Sequence, residues 1–270
     1  MAGIDKSSNH LLALLEDNVF RRWKPHLEVV ELPLGKVIYE PGAELDLVFF
    51  PTTAIVSMLY VMKNGASGEI AVIGKDGMVG VSLFMGGGST VSRAVVQSAG
   101  TGYRLPSTFL MTEFQRGGPV MHLMLRYTQA LLTQMSQTAV CNRHHNLHQQ
   151  FCRWLLLSLD RLPSNELAMT QELISNMLGV RRGGVTGAAR KLQEEGAIEY
   201  RRGKITVISR ERLESSTCEC YEVVKTECER LIPAAVVDHA GEQRALPARA
   251  ARAVRQGSPQ ASGKRSAEKG

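Results

Sequence analysis

The stretch that decides the fold runs from residue 169 to residue 208 and reads MTQELISNMLGVRRGGVTGAARKLQEEGAIEYRRGKITVI. Thr170 is placed to cap a helix that Gly179 ends, and a second helix is expected over residues 181–195. A glycine between them is typical of the tight turn that joins two crossing helices. Two short β-type runs around a glycine follow within residues 197–207 and indicate a hairpin. The stretch therefore predicts a winged helix-turn-helix.

Basic side chains concentrate at the start of the second helix and at the tip of the hairpin. Residues 179–205 contain seven Lys or Arg and three Glu, a local balance of +4. In such a motif the leading end of the second helix enters the major groove, and basic residues around it attract phosphates. The sequence thus predicts binding to duplex DNA, against the alternative of an ordinary solvated face. The candidate DNA-contacting residues are Thr170, Arg181, Arg182, Thr186, Arg190, Arg201, Arg202 and Lys204.

The length, composition and charge of the chain set broad limits. Its 270 residues are enough for two domains, and a hydrophobic fraction of 44% is ample for packed cores. A net charge of +6 favours an anionic partner. No uncharged apolar run approaches about 18 residues and the N-terminus lacks a secretory layout, so we expect a cytoplasmic protein without membrane contact. The cysteines at positions 141, 152, 218, 220 and 228 are too few and too unevenly spaced for a disulfide scaffold.

The first third of the chain has a β-type pattern. A short amphipathic helix is expected over residues 11–23, and short runs separated by Gly and Pro follow up to about residue 105. Several short strands at this spacing predict an antiparallel barrel, roll or sandwich. The expected strands are 29–32, 36–39, 47–50, 55–60, 69–73 and 94–97, with a short helix at 108–115.

A long helix is predicted from Val120 to about His145, because neither Gly nor Pro interrupts that segment. Its apolar residues recur every three or four positions, and the resulting stripe is longer than one small roll could cover. A two-helix coiled coil would bury it, which predicts a homodimer; the alternative is that the stripe packs only on its own roll. The predicted dimer-interface residues are Val120, Met124, Tyr127, Leu131, Met135 and Thr138.

Helices and a tail complete the pattern. A strongly apolar helix over residues 151–162 is expected to form the floor of the helix-turn-helix domain, and another helix is expected over residues 210–231. Residues 233–270 are rich in Ala, Gly, Ser and Arg with almost no large apolar side chains. We expect a disordered basic tail there, which either adds non-specific DNA affinity or is simply a solvated extension.

The order of these parts resembles the Crp/Fnr superfamily of bacterial transcription regulators over roughly residues 10–232. The resemblance rests on Pro41-Gly42, on the DGMVG sequence at residues 76–80 and on the 169–208 stretch. It implies an α+β fold and a homodimer that reads a palindromic operator, with RNA polymerase as a further candidate partner. The implied parts are a jelly-roll-like antiparallel β-roll sensor (10–117), a dimerisation helix (118–147), a winged helix-turn-helix (148–232) and the tail (233–270).

The resemblance also assigns the base-reading surface. Arg182 aligns with an arginine that many members use to contact guanine, whereas Gly183 and Gly187 replace the family's usual glutamate and a later arginine. The operator sequence of better-known members is therefore not carried over. The residues that fall on this surface by resemblance are Arg181, Arg182, Gly183, Gly184, Thr186 and Gly187. Because glycines weaken a helix, a small-ligand-binding module that has lost DNA reading is the alternative function.

The sensor pocket departs from the family pattern. Members that bind cyclic nucleotides hold the ribose and the phosphate with a Gly-Glu pair and a later Arg-Ser-Ala run. Here residues 77–96 contain no acidic residue, and the arginine follows the serine. A cyclic nucleotide is thus disfavoured, no cofactor is expected, and the roll senses another signal or none. The candidate pocket residues are Gly77, Gly80, Ser92, Arg93, Ser136 and Gln137.

Neither a metal site nor an enzyme is predicted. Cys141, His145, His148 and Cys152 would share one face of a continuous helix, but the outer pair would lie about 16 Å apart, too far for one ion. An i, i+4 pair completed by a partner chain is one interpretation, and packing between the long helix and the DNA-binding domain is the favoured one. The cysteines near the C-terminus are expected to pack or to be exposed. Residues 28–105 contain no His or Cys from which a catalytic site could be built.

Overall fold

The computed structural model describes residues 3–233, so the predicted tail lies outside the described residues except for Pro233. Two short helices, α1 (His10–Ala13) and α2 (Asp17–Trp23), stand where one helix was predicted over residues 11–23. Glu16 has an extended backbone between them, which ends one helix and begins the other. Trp23 is fully buried and fixes α2 to the first core.

An antiparallel β-roll follows, as predicted. One sheet has the order β1-β7-β3 and the other the order β2-β6-β4-β5. The strands are β1 (Glu28–Leu32), β2 (Val37–Tyr39), β3 (Leu47–Pro51), β4 (Ile55–Val61), β5 (Ser67–Ile73), β6 (Arg93–Ser98) and β7 (Gly100–Pro106). The prediction missed β7, because Gly100 at its start was interpreted as a turn. Gly102 is needed inside this strand, since a Cβ there would lie 2.9 Å from the Phe50 carbonyl oxygen.

The first core lies between the roll and two helices, α3 (Ser107–Gln115) and α4 (Gly118–His144). Its fully buried side chains include Phe50, Leu105 and Met124. Burial of each such side chain contributes roughly 1.5–3 kcal/mol to folding. The core thereby fixes the start of the long helix to the roll.

The long helix α4 buries one face within its own chain. Of the six predicted dimer-interface residues, Val120, Met124, Tyr127, Leu131 and Thr138 are at most 7% exposed, and Met135 is half-buried. The roll and the last helix, α9 (Glu219–Leu231), cover this face. The assignment of these residues to a dimer interface is therefore wrong, because the return of α9 onto α4 fills the stripe inside one chain.

The C-terminal part contains the predicted helix-turn-helix and hairpin. Its elements are α5 (Leu147–Leu159), β8 (Glu166–Ala168), α6 (Gln171–Leu178), α7 (Arg182–Glu194), β9 (Ile198–Arg201), β10 (Lys204–Val207), α8 (Arg210–Ser216) and α9. The strand order β8-β10-β9 adds an unpredicted strand to the hairpin. The single helix predicted over residues 210–231 is two helices, because Thr217 and Cys218 are extended between them.

The long helix does not continue into α5. His145 is extended, and Asn146 begins α5 with a capping box, in which its side chain accepts the Gln149 backbone N–H at 3.0 Å. Cys141 and Cys152 therefore lie on different helices. The continuous helix assumed for the four-residue Cys/His pattern is absent at this point.

The two cores meet across the chain. Ile55, Leu59 and Val72 project from the roll into the second core, which is otherwise built from the helix-turn-helix part. The Ser67 hydroxyl of β5 also donates a hydrogen bond to the Asn176 carbonyl of α6, at 3.4 Å. Residues of both parts belong to one compact unit. Among residues 3–233, no helix combines the length and the apolar character needed to span a bilayer.

Candidate nucleic-acid interface

The turn between α6 and α7 is held by local hydrogen bonds. Thr170 caps α6 by accepting the Leu173 backbone N–H at 3.2 Å. Gly179 ends the helix in the left-handed conformation, with φ at 65°, and its N–H is donated to the Ser175 carbonyl. A glycine suits this position because other residues are strained there. These bonds set the direction in which α7 leaves the turn.

Helix α7 has a buried and an open face. Val185, Ala189 and Leu192 are essentially fully buried in the second core. The Thr186 hydroxyl donates to the Gln171 side-chain oxygen at 2.9 Å and ties α7 to the start of α6. The predicted base-reading residues, Arg181, Arg182, Gly183, Gly184, Thr186 and Gly187, are all exposed, as is Arg190. The fold thus presents this set together at the surface.

The glycines of α7 differ in their surroundings. A Cβ at Gly184 would lie 2.8 Å from Leu147 Cδ2, so this glycine serves packing against α5. A Cβ at Gly183 or Gly187 would meet nothing within 4 Å. Among the described residues, nothing therefore requires glycine at these two positions, and they leave the helix backbone open on its outer face.

The basic residues of the surface fall into two groups. Arg190, Arg201 and Lys204 form exposed ion pairs with neighbouring glutamates, at 2.6–2.8 Å. Such exposed pairs are worth about 0–1 kcal/mol, so another anion can replace the glutamate at little cost. Within residues 3–233, Arg181, Arg182 and Arg202 form no ion pair.

A groove of about 340 Å³ separates α7 from the hairpin. Its lining residues are Thr170, Gln171, Arg182, Tyr200, Arg202 and Gly203, with no acidic residue among them. Arg202 has φ at 51°, a left-handed conformation that turns the hairpin tip. The Tyr200 hydroxyl donates to the Met169 carbonyl at 2.9 Å, and burial raises the pKa of this phenol. Two arginines that have no ion-pair partner among the described residues therefore line one groove that suits an anion.

The structure does not support the predicted sensor pocket. Gly77 packs beneath the Tyr127 ring and Gly80 against Val48, so neither backbone is open to a ligand. Arg93 forms an exposed ion pair with Glu40 at 2.7 Å. The remaining candidate pocket residues have different surroundings. Ser92 is buried beside Thr90, whereas Ser136 is exposed and Gln137 is half-buried on α4. These surroundings do not form one pocket.

A cavity of about 290 Å³ does lie where the roll, α4, α5 and α9 meet. Asp76, Arg161 and Cys228 line it together with apolar residues from each element, and none of the predicted pocket residues does. The sequence pattern could not locate this cavity, because its lining residues lie far apart in the chain.

The similarity to known proteins begins with the helix-turn-helix. Residues 149–216 match the model of the Crp-like helix-turn-helix domain. The chain carries a Crp-like domain. No curated protein is significantly similar to the chain.

Solved structures extend the likeness beyond the Crp-like domain. A regulator assigned to the Crp/Fnr family from Eubacterium rectale aligns with a TM-score of 0.60 at 18% identity, over 77% of this chain and 95% of its own. FixK2 from Bradyrhizobium japonicum aligns with a TM-score of 0.58 at 15% identity, over 71% and 98%. TTHA1359, a Crp/Fnr transcriptional regulator from Thermus thermophilus, aligns with a TM-score of 0.56 at 20% identity, over 72% and 98%. The predicted fold is thereby confirmed, and the resemblance to the Crp/Fnr superfamily is confirmed at the helix-turn-helix domain, over residues 149–216.

Proposed function

We propose that the chain is a homodimeric, sequence-specific transcription regulator whose Crp-like domain reads duplex DNA through α7. The observation that carries this proposal is the groove in which Arg182 of α7 and Arg202 of the hairpin face an opening without acidic residues. A phosphate backbone that follows this groove would bring the major groove onto the open face of α7.

The exposed residues divide by chemistry into base-reading and phosphate-binding candidates. Arg182 lies in the first turn of α7, where a guanidinium can donate two hydrogen bonds to guanine. Arg202 and Lys204 lie on the hairpin, as does Arg201, and suit phosphates, which fix orientation rather than sequence. Gly183 and Gly187 leave room for the helix backbone to approach the bases closely.

Dimerisation is proposed through the outer face of α4. Leu125, Leu132 and Val140 are 49%, 47% and 47% exposed on this helix, with spacings of seven and eight residues. This spacing places them along one side of a helix, and a second copy of the same stripe would bury them. Two Crp-like domains would then face half-sites of a palindromic operator.

The roll either senses a ligand other than a cyclic nucleotide or is a structural part, since residues 77–96 lack the acidic residue of nucleotide-binding members and the candidate pocket residues do not form one pocket. RNA polymerase is the partner expected if the regulator activates. Its place of action would be the bacterial cytoplasm, where duplex DNA is accessible.

Selection of random duplex DNA with the full chain tests the proposal. Enrichment of a palindrome with half-sites about one helical turn apart is expected, without added nucleotide. The Arg182→Ala, Arg202→Ala double variant should lose the enrichment, whereas Arg21→Ala, an exposed arginine of α2, should retain it. Failure of the wild-type chain to enrich any sequence at low salt, where phosphate contacts are strongest, would leave the ligand-binding module as the better function.

A further inference from the structure

Four metal-ligating side chains converge at one end of α4. Cys141 lies in its last turn and His145 directly follows it, while Cys218 and Cys220 lie at the start of α9. One ligand atom from each residue lies within 4.8 Å of all the others. The three thiols are buried, and the imidazole is half-buried.

Two of the distances between these atoms match those around a single tetrahedral ion. The Sγ atoms of Cys141 and Cys218 are 3.6 Å apart, and Cys220 Sγ lies 3.6 Å from His145 Nδ1. Zinc–sulfur bonds of about 2.3 Å and zinc–nitrogen bonds of about 2.0 Å place tetrahedral ligand atoms about 3.5–3.8 Å apart. The cluster therefore needs little movement to close around an ion.

We propose that Cys141, His145, Cys218 and Cys220 bind one Zn²⁺ ion. Three cysteines and one histidine are a ligand set typical of closed structural zinc sites. The buried thiols form a small cluster of their own, separate from both apolar cores. A bound ion explains why three thiols are buried side by side. Packing alone does not explain it, because apolar side chains could fill the same space.

The surroundings of the histidine support the same assignment. With Nδ1 facing the thiols, His145 Nε2 lies 3.3 Å from a Glu219 carboxylate oxygen. A carboxylate on the distal nitrogen fixes the tautomer and orientation of a metal-binding imidazole. The Gln150 side chain donates to the His145 carbonyl at 2.8 Å and holds the backbone at this point.

A four-iron cluster and a disulfide fit these four residues less well than a single ion does. In a four-iron cluster each thiolate binds a different iron, which requires sulfurs farther apart than those on a single ion. A disulfide between Cys141 and Cys218 would use two of the four groups and leave Cys220 and His145 without a role. A single ion engages all four.

The ion would join three parts of the chain at one point. Its ligands come from the end of α4, from the break between α4 and α5, and from the start of α9. Because the Crp-like domain begins at that break, an ion there would fix the domain relative to the long helix. We expect DNA affinity to fall when the ion is removed; this consequence rests on the proposed function, whereas the metal site does not.

Metal content and cobalt spectroscopy of the full chain test the site. Protein purified under reducing conditions should contain about one zinc per chain by elemental mass spectrometry. Co²⁺ added to the metal-free chain should give thiolate-to-cobalt charge-transfer bands and the visible bands of tetrahedral cobalt. Cys220→Ser and Cys141→Ser should lose this binding, and Cys228→Ser, a matched cysteine of α9 outside the cluster, should retain it.

The same measurements can overturn the assignment. Absence of stoichiometric zinc or cobalt binding by the wild-type chain would do so, as would unchanged binding by Cys220→Ser, an iron–sulfur chromophore, or a Cys141–Cys218 disulfide in the purified protein. The wild-type cobalt titration does not depend on any variant folding. A chain that binds zinc but enriches no DNA would refute the proposed function and leave the metal site intact.

Discussion

Arg161 and Asp76 form an ion pair between the roll and the Crp-like domain, with Arg161 Nη2 2.6 Å from an Asp76 carboxylate oxygen. The arginine follows α5 and is buried, while the aspartate follows β5. Gly74 makes the approach possible, because a Cβ there would lie 2.6 Å from Arg161 Cβ. The DGMVG sequence on which the resemblance partly rested therefore has a structural role at this junction.

Removal of the aspartate from this pair should destabilise the whole fold. Asp76→Ala leaves the buried Arg161 guanidinium without the carboxylate that contacts it. Because Asp76 itself is partly exposed, we expect a loss of about 3 kcal/mol, the lower end of the cost for buried pairs. The free energy of unfolding in urea measures the loss. Glu40→Ala breaks the exposed pair with Arg93 and serves as the control, with an expected change within about 1 kcal/mol. Equal losses in the free energy of unfolding for the two variants would show that the burial of Arg161 does not strengthen its ion pair with Asp76.

The buried carboxyl of Glu69 should make stability depend on pH. Burial raises the pKa of Glu69 to about 7, against an ordinary value of 4.5. Ser57 Oγ lies 2.5 Å from one Glu69 carboxyl oxygen and also 2.5 Å from the Gln97 side-chain oxygen, which itself belongs to a network reaching α5. Because the folded pKa is the higher one, the protonated form is favoured on folding. The corresponding stability is fully present below about pH 4.5 and is lost as pH rises to about 7.

Glu69→Gln isolates this contribution from other titrating groups. The difference in free energy of unfolding between the variant and the wild type should shift in favour of the variant between about pH 4.5 and pH 7, by on the order of 3 kcal/mol. Denaturant unfolding at several pH values provides the measurement. A constant difference across that range would mean that Glu69 titrates alike in the folded and unfolded chains.

Arg182 and Lys204 should affect DNA binding in different ways. Arg182→Ala is expected to cost about 1–3 kcal/mol and to relax specificity at one base position, as loss of a guanine contact does. Lys204→Ala should weaken all duplexes alike and flatten the salt dependence, as loss of a phosphate contact does. Competition binding at several salt concentrations separates the two, with Lys36→Ala in the roll as the charge control. An unchanged sequence preference in Arg182→Ala would contradict its base-reading role.

The open glycines of α7 should lower the stability of the fold and allow closer contact with DNA. Gly187→Ala places a methyl group in open space and improves helix propensity, so the fold should gain up to about 1 kcal/mol. Gly179→Ala forces a side chain into the left-handed conformation and should cost about 1–2 kcal/mol. If the backbone approaches DNA at Gly187, its alanine variant binds the selected operator more weakly although it is more stable. Unchanged affinity would leave this glycine without a reading role.

The outer face of α4 should decide the oligomeric state. Leu132→Glu places a charge in the exposed stripe, and burial of two such charges in a symmetric interface is unfavourable. Sedimentation equilibrium should show a dimer for the wild type and a monomer for this variant. Val29→Glu, at an exposed apolar position of β1, is the control and should remain a dimer. A dimer that survives Leu132→Glu would place the interface elsewhere.

Local signals predicted most of the secondary structure. The glycine turn at Gly179 and the alternating strands of the roll depend on neighbouring residues, and their positions agreed with the structure to within a few residues. The missed strand β7 shows the limit of such signals. Gly102 is there for the close approach of Phe50, a contact between distant residues that no local pattern contains.

Non-local packing accounts for the errors at the candidate sites. The stripe containing Tyr127 and Leu131 was assigned to a partner chain, because the sequence does not reveal that α9 returns to cover it. Likewise, the pattern that contains Cys141 and His145 was interpreted as packing, and the further ligands of the alternative metal site were expected from a partner chain. Cys218 and Cys220 come from more than 70 positions away and are brought in by that same return of α9.

The residues Ile55, Leu59 and Val72, which the roll places in the second core, have a consequence for any signal. Each is worth roughly 1.5–3 kcal/mol when removed from water. If the Crp-like domain is displaced from the roll, these side chains become exposed to water, and the loss of hydrophobic free energy opposes the displacement. An effector that moves the domain must therefore bind the displaced form more tightly by a comparable free energy. The junction thus sets the minimum difference in binding free energy that such an effector needs.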